Sequence, residues 1–223
     1  MLSNKKVLMV MAHPDDEIIF GWAIFQDKSI EKKLLICSSD FYNKDREWCK
    51  YRKNALFEIC KELNAEVSCL DYPSSFYRAP TRRPSHLPRN EHGDSQSPIR
   101  ILSNNIVDNM LTMEQGCDYV FTHNPYGEYG HLDHKFLFDL VIKNTKKDVI
   151  ISDIQIPSNW DKNYNIDAIV KKIYYHTKIK EQCVLNQDLL SFCKKKYENK
   201  NGWTWSRHVP SDCNLFLLEN NKE

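Results

Sequence analysis

No sign of charge predominates in this chain of 223 residues: 31 lysines and arginines face 30 aspartates and glutamates, a formal net charge of +1. That balance excludes a global field that would draw nucleic acid or an anionic membrane, so any charged partner must be met locally. No segment reaches the ~18 uncharged apolar residues a membrane span requires. The one apolar stretch near the start, residues 7–24, is interrupted by His13, Asp15, Asp16 and Glu17, which the apolar region of a secretory signal does not carry. The eight cysteines include no CxxC pair and no compact secreted framework, and they read as reduced thiols of a cytoplasmic protein. Internal repeats and low-complexity tracts are missing as well.

What remains is the pattern of a single α/β domain over residues 1–223, a length that one domain commonly reaches. Residues 6–12 ("KVLMVMA") form a continuous apolar run of strand length, as a strand buried on both faces requires. Further strands are predicted at 33–39, 66–72, 117–123 and 148–152, separated by helices from about residue 15, at 45–66, near 98–114 and at 131–144. Such alternation predicts a Rossmann-like, mostly parallel sheet with helices on both faces and right-handed crossovers. The core of the domain spans 1–155. Residues 76–97 are too rich in proline and arginine for a core element and are predicted to be a long loop. In the extension 156–223, residues 174–196 are predicted to be helical and 214–219 to be a late edge strand.

In doubly wound sheets the ligand crevice lies beyond the carboxyl ends of the strands. Four polar clusters fall there: "AHPDDE" at 12–17, "SSD" at 38–40, "DYPSS" at 71–75 and "THNPYGEYGHLDH" at 122–134. Pro14 biases His13 away from helical geometry and suits the first position of a helix, which leaves His13 at the strand tip and carries Asp15 and Asp16 into the first turn. One aspartate can then join His13 on a cation while the other faces a reacting water. His131 and His134, three residues apart, share a helical face. Together the two clusters supply the imidazole and carboxylate donors that zinc prefers. An acidic capping turn beside a solvated histidine face is the competing account of either cluster alone. It does not explain why both arise at the same sheet edge.

With these residues in place, the chain resembles the PIG-L/LmbE-like zinc-dependent N-deacetylases. That family carries an AHPDDE motif after its first strand, here residues 12–17, and a GE-x-GHPDH motif after a later one, here residues 127–134 with Leu132 in the proline's place. The likeness extends over roughly the first 150 residues and more weakly to "KIKEQCVLNQ" at 178–187. It implies an LmbE-like fold and one Zn²⁺ per chain bound by His13, Asp16 and His134, with Fe²⁺ as the alternative ion in vivo. It further implies Asp15 as general base, His131 as a second catalytic group oriented by Asp133, and Arg52 as a residue directed toward substrate. Two family positions differ: a usual glutamate is Ala55, and a usual substrate-holding aspartate is Ser74.

The expected reaction is hydrolysis of an N-acyl group, most simply N-acetyl, from a small-molecule amino sugar, free or linked to a nucleotide or lipid diphosphate. Asp15 would take a proton from the attacking water, His131, charged under the influence of Asp133, would steady the oxyanion, and either His131 or the protonated Asp15 would give a proton to the departing amine. His123 and Asn124 are placed at the pocket floor, and Tyr126 and Tyr129 along its wall. Asp40 lies either in the pocket or at a helix cap. Arg82 and Arg83 could receive a diphosphate, or simply belong to a solvated loop or to a contact between subunits of a homo-oligomer. A zinc amidase acting on a non-sugar amide and a silent sugar-binding module are the alternatives. Phosphoester hydrolysis would call for more carboxylates, bridging two ions.

Overall fold

The computed structural model describes residues 2–38, 46–72, 98–154, 177–200, 202–203, 205 and 208–219. Five strands run parallel: β1 (Lys6–Met11), β2 (Glu31–Ser38), β3 (Glu66–Tyr72), β4 (Tyr119–Thr122) and β5 (Asp148–Ser152). With β6 (Thr177–Val184) and β7 (Asp212–Leu218) they form one sheet in the order β3-β2-β1-β4-β5-β7-β6. Both faces are covered. Val7, Met9 and Met11 of β1 face a core built with α1 (Asp16–Ile19), α2 (Trp22–Phe25), α3 (Arg46–Glu62) and, in the tail, α7 (Gln187–Asn199). Leu8, Val10 and Ala12 face the other core, built with α4 (Pro98–Met113) and α6 (Leu132–Asn144). Period-2 alternation on a strand that is buried on both sides therefore gives one uninterrupted apolar run, as the sequence of β1 reads.

Two expectations are corrected in the tail. Residues 174–196 do not form one helix: 177–184 are a strand, and α7 starts only at Gln187, after Asn186 accepts the backbone N–H groups of Asp188 and Leu189. Nor is β7 the edge. It pairs antiparallel with β5 on one side and with β6 on the other. The composition explains the order: "DCNLFLL" buries most of its residues, whereas "TKIKEQCV" carries the charges that suit a strand with one open side. Among the described residues no helix is long and apolar enough to cross a membrane.

Candidate metal centre

The centre of the sheet is also where its polarity concentrates. β1 and β4 are neighbours, with Val10 in register with Thr122, so the segments that leave their carboxyl ends emerge side by side. The first segment folds back at once. Asp15 takes a left-handed backbone (φ 92°, ψ −20°), and His13 N–H donates to Asp16 Oδ2 at 2.7 Å. This differs from the expected entry of Asp15 into the first helical turn: α1 begins only at Asp16 and is four residues long. A non-glycine residue in that region costs roughly 1–2 kcal/mol and persists only where the surroundings hold it. Three contacts do so: Asp15 N–H donates to Glu17 Oε2 at 2.9 Å, Arg52 Nη2 lies 2.5 Å from Asp15 Oδ1, and the same Nη2 donates to the carbonyl of Pro14.

From the other side, α5 (Gly127–Gly130) is one kinked turn in which Glu128 is also left-handed (φ 57°), and His131 caps α6. Glu128 is buried and serves as the local hub. Its Oε2 lies 2.6 Å from His134 Nδ1 and 3.1 Å from His123 Nδ1, and its Oε1 accepts the N–H of Asn124 at 3.0 Å. Burial opposes its charge, but His123 and His134 outweigh this and hold the carboxyl at about 2. His123 Nε2 accepts the N–H of Ala12 at 3.0 Å. Burial pulls this imidazole down and Glu128 and Asp16 draw it up to about 9. The lone pair taken by Ala12 decides the matter in favour of a neutral ring whose single proton sits on Nδ1 toward Glu128.

Asp16 Oδ2 is the point of convergence, 3.3 Å from His13 Nδ1, 3.4 Å from His123 Nε2 and 3.5 Å from His134 Nε2. Burial works against its charge, whereas the imidazoles of His134, His123 and His13, when they carry a proton toward it, pull it well below the usual carboxylate range. His134 is fully buried, and burial together with His123 lowers its affinity for a proton. With its Nδ1 proton directed to Glu128, its Nε2 presents a lone pair that has no hydrogen-bond partner. Two buried acceptors 3.5 Å apart are repulsive unless a cation lies between them. Donors ~2.1 Å from a tetrahedral ion stand about 3.4 Å apart, so the separations around Asp16 fit a zinc-like ion held by His13, Asp16 and His134. The ligand atoms of these three residues all lie within 4.8 Å of one another. The sets His13–His131–Asp133 and His123–Glu128–His134 are equally compact, but in the latter both Nδ1 atoms already serve Glu128.

His131 stands 5.0 Å from His13 and 4.5 Å from His134, ring to ring. Asp133 meets it through the backbone, donating N–H to His131 Nδ1 at 3.2 Å, while its carboxylate Oδ2 lies 3.1 Å from His13 Nε2. Burial and the neighbouring His134 and His13 lower the His131 imidazole to about 3, so it is neutral at physiological pH, unlike the charged ring expected from sequence. Since Nδ1 accepts, the proton is on Nε2, and His131 presents an N–H donor.

Arg52 is buried and engages the first motif directly. Asn124, expected at a pocket floor, is buried and spends its groups on the loop: Oδ1 accepts Tyr126 N–H and Glu128 N–H, and Nδ2 donates to the carbonyl of Ile154 at 2.8 Å. Tyr126 packs toward the core of α4 and α6. Tyr129 is beside the histidines, 5.5 Å from the His131 ring and 5.6 Å from that of His134. Asp40, Arg82 and Arg83 lie outside the described residues, as does the whole of 76–97. Sequence reasoning gave Glu128 no role, although it stands inside the second motif. It also missed Trp205 of the tail, which joins Phe20 and Tyr129 in an aromatic wall with centroids 5.5 Å from each.

Comparison with known proteins bears on this geometry. The family model described as PIG-L, GlcNAc-PI de-N-acetylase, matches residues 8–145. An uncharacterized protein of Acanthamoeba polyphaga mimivirus is 27% identical over 143 residues, which cover 60% of this chain and 55% of that protein. The chain thus spans about half the length of this curated relative. Among solved structures, a deacetylase–teicoplanin complex from teicoplanin biosynthesis superposes with a TM-score of 0.57 at 12% identity, covering 95% of this chain and 97% of that one. The zinc-inhibited form of a teicoplanin deacetylase gives 0.55 at 10% identity, covering 97% and 100%. An antimicrobial pseudoaglycone deacetylase gives 0.54 at 10% identity, covering 99% and 100%. At these identities the likeness is one of fold.

Proposed function

We propose, from the premise that the chain belongs to the PIG-L, GlcNAc-PI de-N-acetylase family matched over residues 8–145, that it is a metal-dependent hydrolase removing an N-acetyl group from an amino sugar or amino-sugar conjugate. The observation that carries this reading is the buried, unpartnered His134 Nε2 facing Asp16 Oδ2 at 3.5 Å, with His13 beside them. His13, Asp16 and His134 would hold the ion, zinc by the chemistry of the donor set. When bound, such an ion polarises an acyl oxygen and acidifies water at neutral pH.

The chain's own groups supply the rest. Asp15 belongs to none of the compact donor sets, and Arg52 on Oδ1 fixes its orientation. It takes the proton of the attacking water and returns one to the departing amine as the C–N bond breaks, leaving acetate and a free amino group. His131 is neutral with its proton on Nε2, and it donates a hydrogen bond to the oxyanion that develops on the acyl oxygen. Beside His131, the partly exposed rings of Tyr129 and Trp205, backed by the buried Phe20, form a surface on which the apolar face of a sugar ring can lie.

Acetate release from N-acetylglucosamine, free and in diphosphate-linked form, tests the reading, with metal content measured on the same protein. One ion per chain is expected. Asp15→Asn should keep the metal and lose about 10²–10⁴-fold in kcat. His134→Ala should lose both. Full turnover by metal-stripped Asp15→Asn protein would overturn the proposal.

A further inference from the structure

The first motif contains one acid that neither holds the ion nor faces the water. Glu17 is 0% exposed, and both its oxygens are engaged: Oε2 accepts Asp15 N–H at 2.9 Å, and Oε1 accepts the phenol of Tyr197 at 2.7 Å. Tyr197 is also 0% exposed and comes from α7, 180 positions along the chain. Its own carbonyl accepts Gly202 N–H at 2.7 Å. Gly202 rests on Arg52 so closely that a Cβ there would lie 2.9 Å from Arg52 Cγ and 3.1 Å from its Cα. The tail segment therefore reaches both groups that grip Asp15: Glu17 through a hydrogen bond, and Arg52 through packing.

A carboxyl group buried this completely is retained at a cost, burial raising it to about 8, and here it accepts a hydrogen bond from the amide of a residue in a sterically disfavoured conformation. We infer that Tyr197 and Glu17 are positioning residues that hold the left-handed backbone of Asp15 and so separate the base from the adjacent ligand Asp16. The C-terminal extension is on this account part of the active-site frame. The inference rests on the hydrolase reading for its catalytic consequence, but not for its structural one.

The experiment uses the zinc-loaded full chain and the Tyr197→Phe variant, which keeps the ring and removes only the hydroxyl. Hydrogen exchange at the Asp15 amide, followed by NMR, is expected to quicken by at least about tenfold. With N-acetylglucosamine as the probe substrate, kcat should fall about tenfold with KM within about twofold and metal content unchanged. In an Asp15→Asn background the same Tyr197→Phe change should cost less than about twofold, since the group being positioned has already lost its function. Glu17→Gln, which can accept through only one atom, should show the same pattern more strongly. Unchanged exchange at Asp15, or equal losses in both backgrounds, would overturn the inference. If the wild type releases no acetate from this probe, the hydrolase reading loses its support there, while the exchange measurement still decides whether the couple holds Asp15.

Discussion

Glu128 governs two imidazoles through one carboxylate oxygen. The contact at 2.6 Å to His134 Nδ1 fixes which nitrogen carries the proton, and hence leaves the lone pair on Nε2. Carboxylates that orient a ligating histidine in this way typically change metal affinity by about 10–100-fold when removed. Glu128→Gln is expected to weaken zinc binding within that range while the fold persists, because the amide oxygen still accepts Asn124 N–H. Competition against a chromophoric chelator measures it. An affinity within about twofold of wild type would reduce Glu128 to a loop residue. Residue identity alone could not reveal this. The sequence shows a glutamate in a glycine-rich turn, but only the left-handed backbone at Glu128 turns its carboxylate back under both His123 and His134. The convergence of His13, Asp16 and His134, by contrast, was legible, because their spacing after two strands already placed all three at one sheet edge.

At the scale of elements, the alternation of apolar strands and amphipathic helices made β1 to β5 and their order of appearance readable, since a strand buried on both faces has little compositional freedom. The tail was less so. Residues 177–184 and 187–199 run together without a glycine or proline, and only the side chain of Asn186, closing on Asp188 N–H at 3.0 Å and Leu189 N–H at 3.1 Å, divides strand from helix. Whether an asparagine caps or merely interrupts a pattern depends on what the following helix packs against, here the α3 side of the sheet, where Cys193 and Tyr197 are buried. Removing the cap tests the division. Asn186→Ala should cost about 1 kcal/mol, equivalent to a fall in melting temperature of roughly 2–4 °C for a chain of this size. Asn186→Asp should restore most of it. A loss in Asn186→Ala below about 0.3 kcal/mol would mean that α7 is held by packing alone.

Over the whole molecule, the sheet brings two short segments from residues 12–17 and 127–134 to one point and buries there a set of groups that repel or stay unsatisfied without a cation. On the proposed reading of this set as a metal site, stability is tied to the ion. Anything that binds the folded chain alone stabilises it by RT ln(1 + [L]/Kd), about 2.7 kcal/mol at a hundred times Kd, which corresponds to roughly 5–10 °C in melting temperature. Stripping the protein with a chelator should lower the transition by that amount, and one equivalent of zinc should restore it. The sign of the pH effect follows from the ligands. His13 and His134 must be unprotonated to bind, and burial already holds His134 below its ordinary value. Protons compete with the metal increasingly as pH falls below the ordinary histidine value of about 6.5. The gap between loaded and stripped protein should therefore be largest near pH 7.5 and shrink toward pH 5.5, as read by differential scanning calorimetry in matched buffers. A transition that does not move with chelator, or a gap that widens as the solution is acidified, would show that the cluster around Asp16 is a structural polar network rather than a metal centre.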